Sequence, residues 1–341
     1  MNRDKPMSKR ARLSRRSILL AGLSSLAGGA ARAQLARITI GANPAGTNFN
    51  VIAGGFAKTL QEVLTIPSIV RPYSGSSVYI PLLERGEITL GINSSIDSYL
   101  AFTGQAPYPV RMPRLRALMS VYPLGYMYWV RANSDLRRVE DLRERRVVLN
   151  YRGLFVLDRL NRAILATAGL AENDVDSRTA AGLPEGARLV AEGRADAVAM
   201  GYRLPLVKQM HATIPGGLRF LQMGAAPERV NELMPAAWVE TVVPETTDVG
   251  LSGPTSLAMY DTYLNASTAL ADTDAYRIVA ALHGRWGRLQ SDYSLLATVP
   301  AANIVPANNP HPYHPGAVAY FRDAGLWTAE HGHNQDRLLS P

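Results

Sequence analysis

Two stretches of this sequence, LLERGEITLGI (82–92) and LVAEGRADAVA (189–199), follow the same pattern. In each, the end of an apolar helix is followed by a Gly, which can adopt the left-handed conformation that closes a helix. The apolar residues after each Gly are typical of a buried strand. Because a strand, a loop and a helix also precede each stretch, the sequence predicts two similar α/β lobes.

Strand and helix signals alternate along most of the chain, which is typical of an α/β protein with mostly parallel strands. Two longer β-type segments occur at 115–130, after the first repeated unit, and at 255–265, after the second. We predict that lobe 1 comprises 34–125 and 251–341 and that lobe 2 comprises 126–250. Two lobes joined by two hinge-crossing segments are the plan of a hinged solute-binding protein, whose cleft closes on a ligand.

The first 33 residues have the features of a bacterial export leader. A basic stretch is followed by the twin arginines Arg15 and Arg16, a weakly apolar run over 18–30 and the small-residue motif Ala31-Arg32-Ala33. The apolar run, about 13 residues, is too short to span a bilayer. We therefore predict that residues 1–33 are cleaved and that the mature chain is a soluble periplasmic protein. The alternative is a disordered basic arm on a cytoplasmic protein.

The formal net charge of +8 is carried mainly by this leader. Residues 1–33 hold eight of the 36 Lys and Arg and one of the 28 Asp and Glu, so the remaining residues carry +1. A strongly basic chain would favour binding to nucleic acid. The small charge after the leader removes this argument. The chain has no cysteine, which excludes a disulfide framework, a thiol nucleophile and a lipid-modified N-terminal Cys.

Several stretches are similar to those of one known family. They are Ile40-Gly41 with Gly46-Thr47, 74–78, 82–87, 115–118, 139–143 with 146–147, 168–170, 193–197 and, most specifically, HPGAVAYFRDAG at 314–325. On these residues the chain resembles the TAXI group of solute receptors (TRAP-associated extracytoplasmic proteins). The resemblance covers essentially the whole chain after the leader.

This resemblance implies a fold, a mode of binding and a partner. The fold is α/β and type II periplasmic binding protein-like, and the ligand is held between the lobes. The implied partner is a TRAP-type multi-spanning permease, to which a monomeric receptor delivers its solute. One departure concerns the ligand: bulky residues at 151–155 stand where the family has a Gly-Ser-Gly-Thr turn.

Candidate ligand-binding residues of lobe 1 lie in three loops that follow predicted strands. In an open parallel sheet the ligand crevice lies beyond the carboxyl ends of the strands. Each loop also opens a helix, where unpaired amides and the helix dipole favour an anion or a carbonyl oxygen. The candidates are Asn43, Thr47, Asn48, Tyr73, Gly75, Ser76, Ser77, Asn93, Ser94 and Ser95. The alternative role for each Ser, Thr and Asn is N-capping alone.

Lobe 2 contributes Tyr151, Arg152 and Phe155 from one loop and Tyr202 from another. Arg152 could form a bidentate pair with a ligand carboxylate. The alternatives are that Arg152 faces solvent, and that the two aromatic rings stack on an apolar solute. The helix starts of lobe 1 together with Arg152 predict a small carboxylate as the ligand.

The sequence has few patterns that indicate catalysis or metal binding. It has no Gly-x-Ser-x-Gly elbow, no Walker loop and no His-Glu-x-x-His motif. We therefore predict a periplasmic solute receptor with no catalytic residues, metal site or cofactor. The alternatives are a sensor subunit that presents its ligand to a membrane kinase, and an enzyme built on the same fold.

Overall fold

The computed structural model describes Met1, residues 35–297 and residues 299–340. Except for Met1, the predicted twin-arginine leader therefore lies outside the described residues. None of the described helices is both long enough and apolar enough to cross a membrane.

The described residues form ten strands, eleven α-helices and three short 3₁₀ helices. The strands are β1 (Ile38–Ala42), β2 (Ser68–Pro72), β3 (Leu90–Ser94), β4 (Leu115–Arg131), β5 (Arg146–Tyr151), β6 (Asp176–Ala180), β7 (Ala197–Gly201), β8 (Leu218–Phe220), β9 (Trp238–Val242) and β10 (Thr255–Ser267). The helices are α1 (Asn48–Leu64), α2 (Ser76–Glu84), α3 (Ser95–Thr103), α4 (Phe155–Ala166), α5 (Leu183–Ala191), α6 (Pro205–Thr213), α7 (Glu228–Leu233), α8 (Asp272–Gly284), α9 (Trp286–Asp292), α10 (Pro315–Asp323) and α11 (Ala329–Leu339).

The ten strands belong to one sheet made of two parallel groups. The order is β2-β1-β3-β10-β4-β7-β5-β6, with β8 beside β4 and β9 beside β10. Strands β1 to β3 are parallel and form the first group. Strands β5 to β7 are also parallel and form the second group. The sequence therefore correctly predicts two similar parallel units.

The long strands β4 and β10 join the two groups. They pair with each other in antiparallel fashion, and β10 also pairs with β3 while β4 pairs with β7. Pro123, which has no N–H to donate, lies opposite Asp261, where the register of the two strands shifts. Such an irregularity is where a sheet tolerates proline. Strand β10 thus borders the first group, strand β4 borders the second, and the pairing of β4 with β10 connects the two groups.

The two Gly residues of the sequence repeat end their helices as predicted. Gly86 after α2 has φ 74° and Gly193 after α5 has φ 71°. The amide of Glu87 donates to the Leu82 carbonyl at 2.9 Å, and the equivalent bond after α5 has a length of 2.8 Å. This hydrogen bond closes each helix. The pattern predicts that a strand begins about two residues after each Gly, but β3 begins at Leu90 and β7 at Ala197, each four residues after its Gly.

One predicted helix is divided. The sequence indicates a helix over 276–290, but α8 ends at Gly284 and α9 begins at Trp286. The Trp286 indole is buried, and its N–H donates to the Val299 carbonyl at 2.9 Å. The two helices are separated at Arg285, where φ is −112° and the backbone is not helical.

Candidate functional site

A cavity of about 40 Å³ lies where loops of the first strand group face loops of the second. Its polar wall consists of Asn43, Thr47, Asn48, Ser76, Ser94 and Asp97. Its apolar wall consists of Phe49, Leu124, Tyr126, Leu154, Leu157, Leu183, Gly201, Leu204 and Tyr260. The cavity thus lies beyond the carboxyl ends of β1, β3 and β7, where ligands of open α/β sheets bind.

Three helices begin at the polar wall, and two of them are capped by predicted site residues. The Thr47 hydroxyl accepts from the Asn50 amide at 3.4 Å, and the Ser94 hydroxyl accepts from the Asp97 amide at 2.9 Å. Gly75, the N-cap of α2, has no side chain to offer. The first amides of each helix have no intrahelical partner and carry the positive end of the dipole. Thr47 and Ser94 therefore each cap a helix and also line the cavity.

Two buried amide side chains in this wall have unsatisfied oxygens. Asn43 and Asn48 are 6% and 2% exposed, and no described group bonds to the Oδ1 atom of either. The Ser77 hydroxyl and the Tyr73 hydroxyl, at the start of α2 and just before it, are also buried without a partner. Buried polar atoms are nearly always hydrogen-bonded in proteins, so the two amide oxygens of the wall are available to a ligand. Ser77 and Tyr73, which are also predicted site residues, do not line the cavity.

Asp97 places a buried carboxylate in the same wall. Its Oδ2 accepts from the Ser94 hydroxyl at 2.7 Å and the Ser76 hydroxyl at 2.9 Å, and its Oδ1 accepts from the Tyr108 hydroxyl at 2.7 Å. Burial raises the pKa of Asp97, and these three hydrogen bonds oppose the rise. Among the described residues that line the cavity, none is Lys, Arg or His.

Behind α3, a chain of buried side chains fixes the segment between β3 and this helix. His311 Nε2 lies 2.6 Å from Asn265 Oδ1, and Asn265 Nδ2 donates to Asn93 Oδ1 at 2.9 Å. Asn93 Nδ2 donates in turn to the Ser98 hydroxyl at 2.6 Å. Burial lowers the pKa of His311 to about 3, with a smaller contribution from nearby Arg116. The imidazole is therefore neutral near pH 7, and Asn93 has a supporting role behind the cavity wall.

The two walls touch at several points, so the cleft is closed. A Cβ atom added to Gly75 would lie 1.9 Å from the carbonyl oxygen of Gly153. The Ser95 hydroxyl donates to the Ala236 carbonyl at 2.8 Å, which explains why Ser95 is buried beside the cavity rather than in its wall. Close backbone approach across the cleft thus requires Gly at position 75.

Three of the lobe 2 candidates lie outside the cavity wall. Tyr151 is buried beneath α5, where its hydroxyl donates to the Ala199 carbonyl at 3.4 Å. Arg152 and Phe155 are exposed. The reason is local: the side chain of Leu154, the N-cap of α4, turns into the cleft, and the residues on either side of Gly153-Leu154 face other directions.

Tyr202 lines a neighbouring cavity of about 310 Å³, which shares Asn48 and Leu124 with the first one. The Arg203 guanidinium lies 4.9 Å from the centre of the Tyr202 ring. It also pairs with Asp248 and Glu245, each at 2.8 Å. The positive charge of Arg203 is therefore already compensated by two carboxylates.

Sequence reasoning missed Asp97 and the leucine side chains of the apolar wall. The spacing Ser94-x-x-Asp97 is a capping signature that places the carboxylate in the first turn of α3, so a local signal existed. Leu124, Leu154 and Leu183 come from three separate elements, and each is indistinguishable from a core leucine in the sequence.

Comparisons with known proteins agree with this architecture. The model of a family described as the NMT1-like family matches residues 40–325. The alkanesulfonate-binding protein SsuA from Xanthomonas axonopodis pv. citri, bound to MOPS, is 19% identical with a TM-score of 0.50, over 91% of this chain and 96% of its own. PhnD1 from Prochlorococcus marinus (MIT 9301), in complex with methylphosphonate, is 11% identical with a TM-score of 0.53, over 86% and 100%.

A third structure, described as a periplasmic transporter, is 14% identical with a TM-score of 0.54, over 88% of this chain and 95% of its own. At these identities the likeness shows the fold alone. The predicted α/β, type II periplasmic binding protein-like fold is confirmed.

Proposed function

The chain belongs to the NMT1-like family, and we propose that it is an exported receptor that captures a small organic solute in its cleft and delivers it to a membrane permease. One observation carries the proposal: Asn43 and Asn48, whose buried amide oxygens have no partner among the described residues, line a cavity at the carboxyl ends of the strands. A site of this kind fits a ligand that is enclosed by hinge closure.

We assign a carboxylate to the solute on the basis of the helix starts. The first amides of α2 and α3 face the region where Ser76 and Ser94 line the cavity. Helix N-termini bind carboxylates without needing a cationic side chain. Arg152 is exposed, so we assign the anion to the backbone amides at the helix starts.

We place the receptor in the periplasm because of the predicted leader, residues 1–33. We propose a TRAP-type permease as its partner because of the resemblance to the TAXI group. The fold, which is shared with a structure described as a periplasmic transporter, supports the first of these assignments. A gene for a multi-spanning permease next to this one would favour transport over presentation to a sensor kinase.

A thermal-shift screen of organic acids, oxo acids and amino acids tests the proposal. A solute that binds only the folded protein at about 100 times its Kd should stabilise it by about 2.7 kcal/mol. This corresponds to a rise of several degrees in Tm for a chain of this size. We expect a shift for at least one carboxylate, whereas the absence of any shift across the panel would contradict solute binding.

Two variants locate the site in the same screen. Asn48→Ala should reduce the shift, because it removes a buried amide from the cavity wall. Arg152→Ala is the matched control and should leave the shift unchanged, since the side chain is exposed and outside the wall. Loss of the shift in the Arg152 variant would return this residue to the site.

A further inference from the structure

Asp97 lines the cavity and has one free acceptor position. Of the four lone-pair positions of a carboxylate, Ser76, Ser94 and Tyr108 occupy three, and the vacant one is on Oδ1. The side chain is 4% exposed and lines the cavity. No Lys, Arg or His among the described residues lines that cavity to balance the charge. A buried carboxylate without a partner cation is costly, so a positive group on the ligand would stabilise it.

Asn43 and Asn48 complete a set of three acceptors. Their Oδ1 atoms are buried and unpartnered, and both residues line the same small cavity as Asp97. An ammonium group has three N–H donors and no acceptor. Three acceptor oxygens on residues that line one small cavity, one of them charged, match that donor set, whereas an anionic group would find no hydrogen-bond donor in them.

The remaining features of the site describe the rest of the ligand. The helix starts of α2 and α3 accommodate a carboxylate, as proposed above, and leucines from the second strand group form the opposite wall. A ligand carboxylate close to Asp97 would be repelled unless a cation lay between them. The ligand must therefore combine a carboxylate, an adjacent cation and an apolar body.

We propose that the solute is an α-amino acid with a small apolar side chain, whose ammonium group is bound by Asp97, Asn43 and Asn48. This inference rests on the proposed function and specifies its ligand. The volume of about 40 Å³ in the closed cleft favours a side chain of the size of alanine or valine over an aromatic one.

Three probes of nearly equal shape separate the two charged groups of such a ligand. They are L-valine, 3-methylbutanoate, which lacks the amine, and 2-methylpropylamine, which lacks the carboxylate. We expect L-valine or L-alanine to raise Tm and to bind in calorimetry, and L-phenylalanine to bind more weakly. Deleting the amine should lower the affinity by about 100-fold, as for truncating one partner of a buried charge pair.

Asp97→Asn is the matched variant, because it keeps the shape of the side chain and removes its charge. It should lower the affinity for L-valine by about 100-fold and bring it close to that for 3-methylbutanoate. The Tm of the ligand-free variant shows whether it folds, and the probe series on the wild-type protein remains a test if it does not.

The possible failures are distinguishable. Equal binding of 3-methylbutanoate and L-valine by the wild-type protein would overturn the ammonium site and leave the carboxylate receptor intact. The ammonium site would also be overturned, and the carboxylate receptor left intact, if no apolar amino acid binds but another carboxylate of the broad screen raises Tm. If no solute of that screen binds, the proposed function itself is overturned.

Discussion

Replacing Gly75 with Ala should lower the affinity for the solute by more than about 100-fold, because a side chain at this position blocks closure of the cleft. The added Cβ would lie 1.9 Å from the Gly153 carbonyl oxygen and 2.6 Å from its carbonyl carbon. Both are backbone atoms of the opposite wall and cannot rotate away. The walls must therefore separate, and a ligand held from both sides loses the contacts of one of them.

The same substitution should leave folding intact. Gly75 has φ 176°, an extended conformation that any residue adopts, so Ala introduces no backbone strain. Gly→Ala at a compatible position even stabilises by about 0.4–1 kcal/mol through the unfolded state. Titration calorimetry with the solute and thermal unfolding without it measure the two effects separately.

Gly182→Ala is the control for this experiment. Gly182 is the N-cap of α5, has φ −179°, and an added Cβ would meet no atom closer than 3.9 Å. We expect wild-type affinity from this variant. Wild-type affinity from Gly75→Ala would mean that the cleft does not close through this contact when the solute binds.

The second large effect concerns stability: Asn265→Ala should lower the free energy of unfolding by about 3 kcal/mol, because it leaves buried polar groups unsatisfied. Asn265 is fully buried and bonds to both Asn93 and His311. The variant deprives His311 of its Nε2 partner, while Nδ1 of the same ring already has none. Urea unfolding at neutral pH, where the pKa of about 3 keeps His311 uncharged, measures the loss.

Asn231→Ala provides the comparison, since Asn231 lies exposed on α7. It should change stability by less than about 0.5 kcal/mol. A similarly small effect of Asn265→Ala would show that the hydrogen-bonded chain from His311 to Asn93 does not stabilise the fold.

The fold could be predicted because its signals are local. Gly86 and Gly193 end equivalent helices, and the strands that follow are short apolar runs that allow few alternatives. The long strands β4 and β10 were recognisable as crossings from their length and composition. The lobe boundaries proposed from them, at 125 and 250, stay predictions.

The site was predictable only where it depends on helix starts. Asn43, Thr47, Asn48, Ser76 and Ser94 precede or open helices, and the order of strand, loop and helix brings them together. The direction of a side chain within a loop has no such signal. Arg152 therefore looked suitable for binding an anion although it points outward, and Leu154 two residues later lines the cavity.

The residues that support the cavity wall from behind could not be predicted from the sequence, for another reason. Asn265 and His311 belong to the last part of the chain, yet they meet Asn93 through pairing of β10 with β3. Contacts between residues far apart in sequence depend on the tertiary structure, and no spacing or motif in a single sequence indicates them.

Closure of the cleft on a solute is the central claim, and a distance between the two walls tests it most directly. Because the chain contains no cysteine, Lys58→Cys on α1 and Lys208→Cys on α6, both at exposed positions, give one unique pair of spin labels. Double electron–electron resonance should show a broad, longer distance distribution without solute. Saturation with the solute found by the screen should shift the distribution to the shorter distance of the closed structure. The shift should be smaller in the Gly75→Ala protein. A distribution that does not change at saturation would contradict capture by closure.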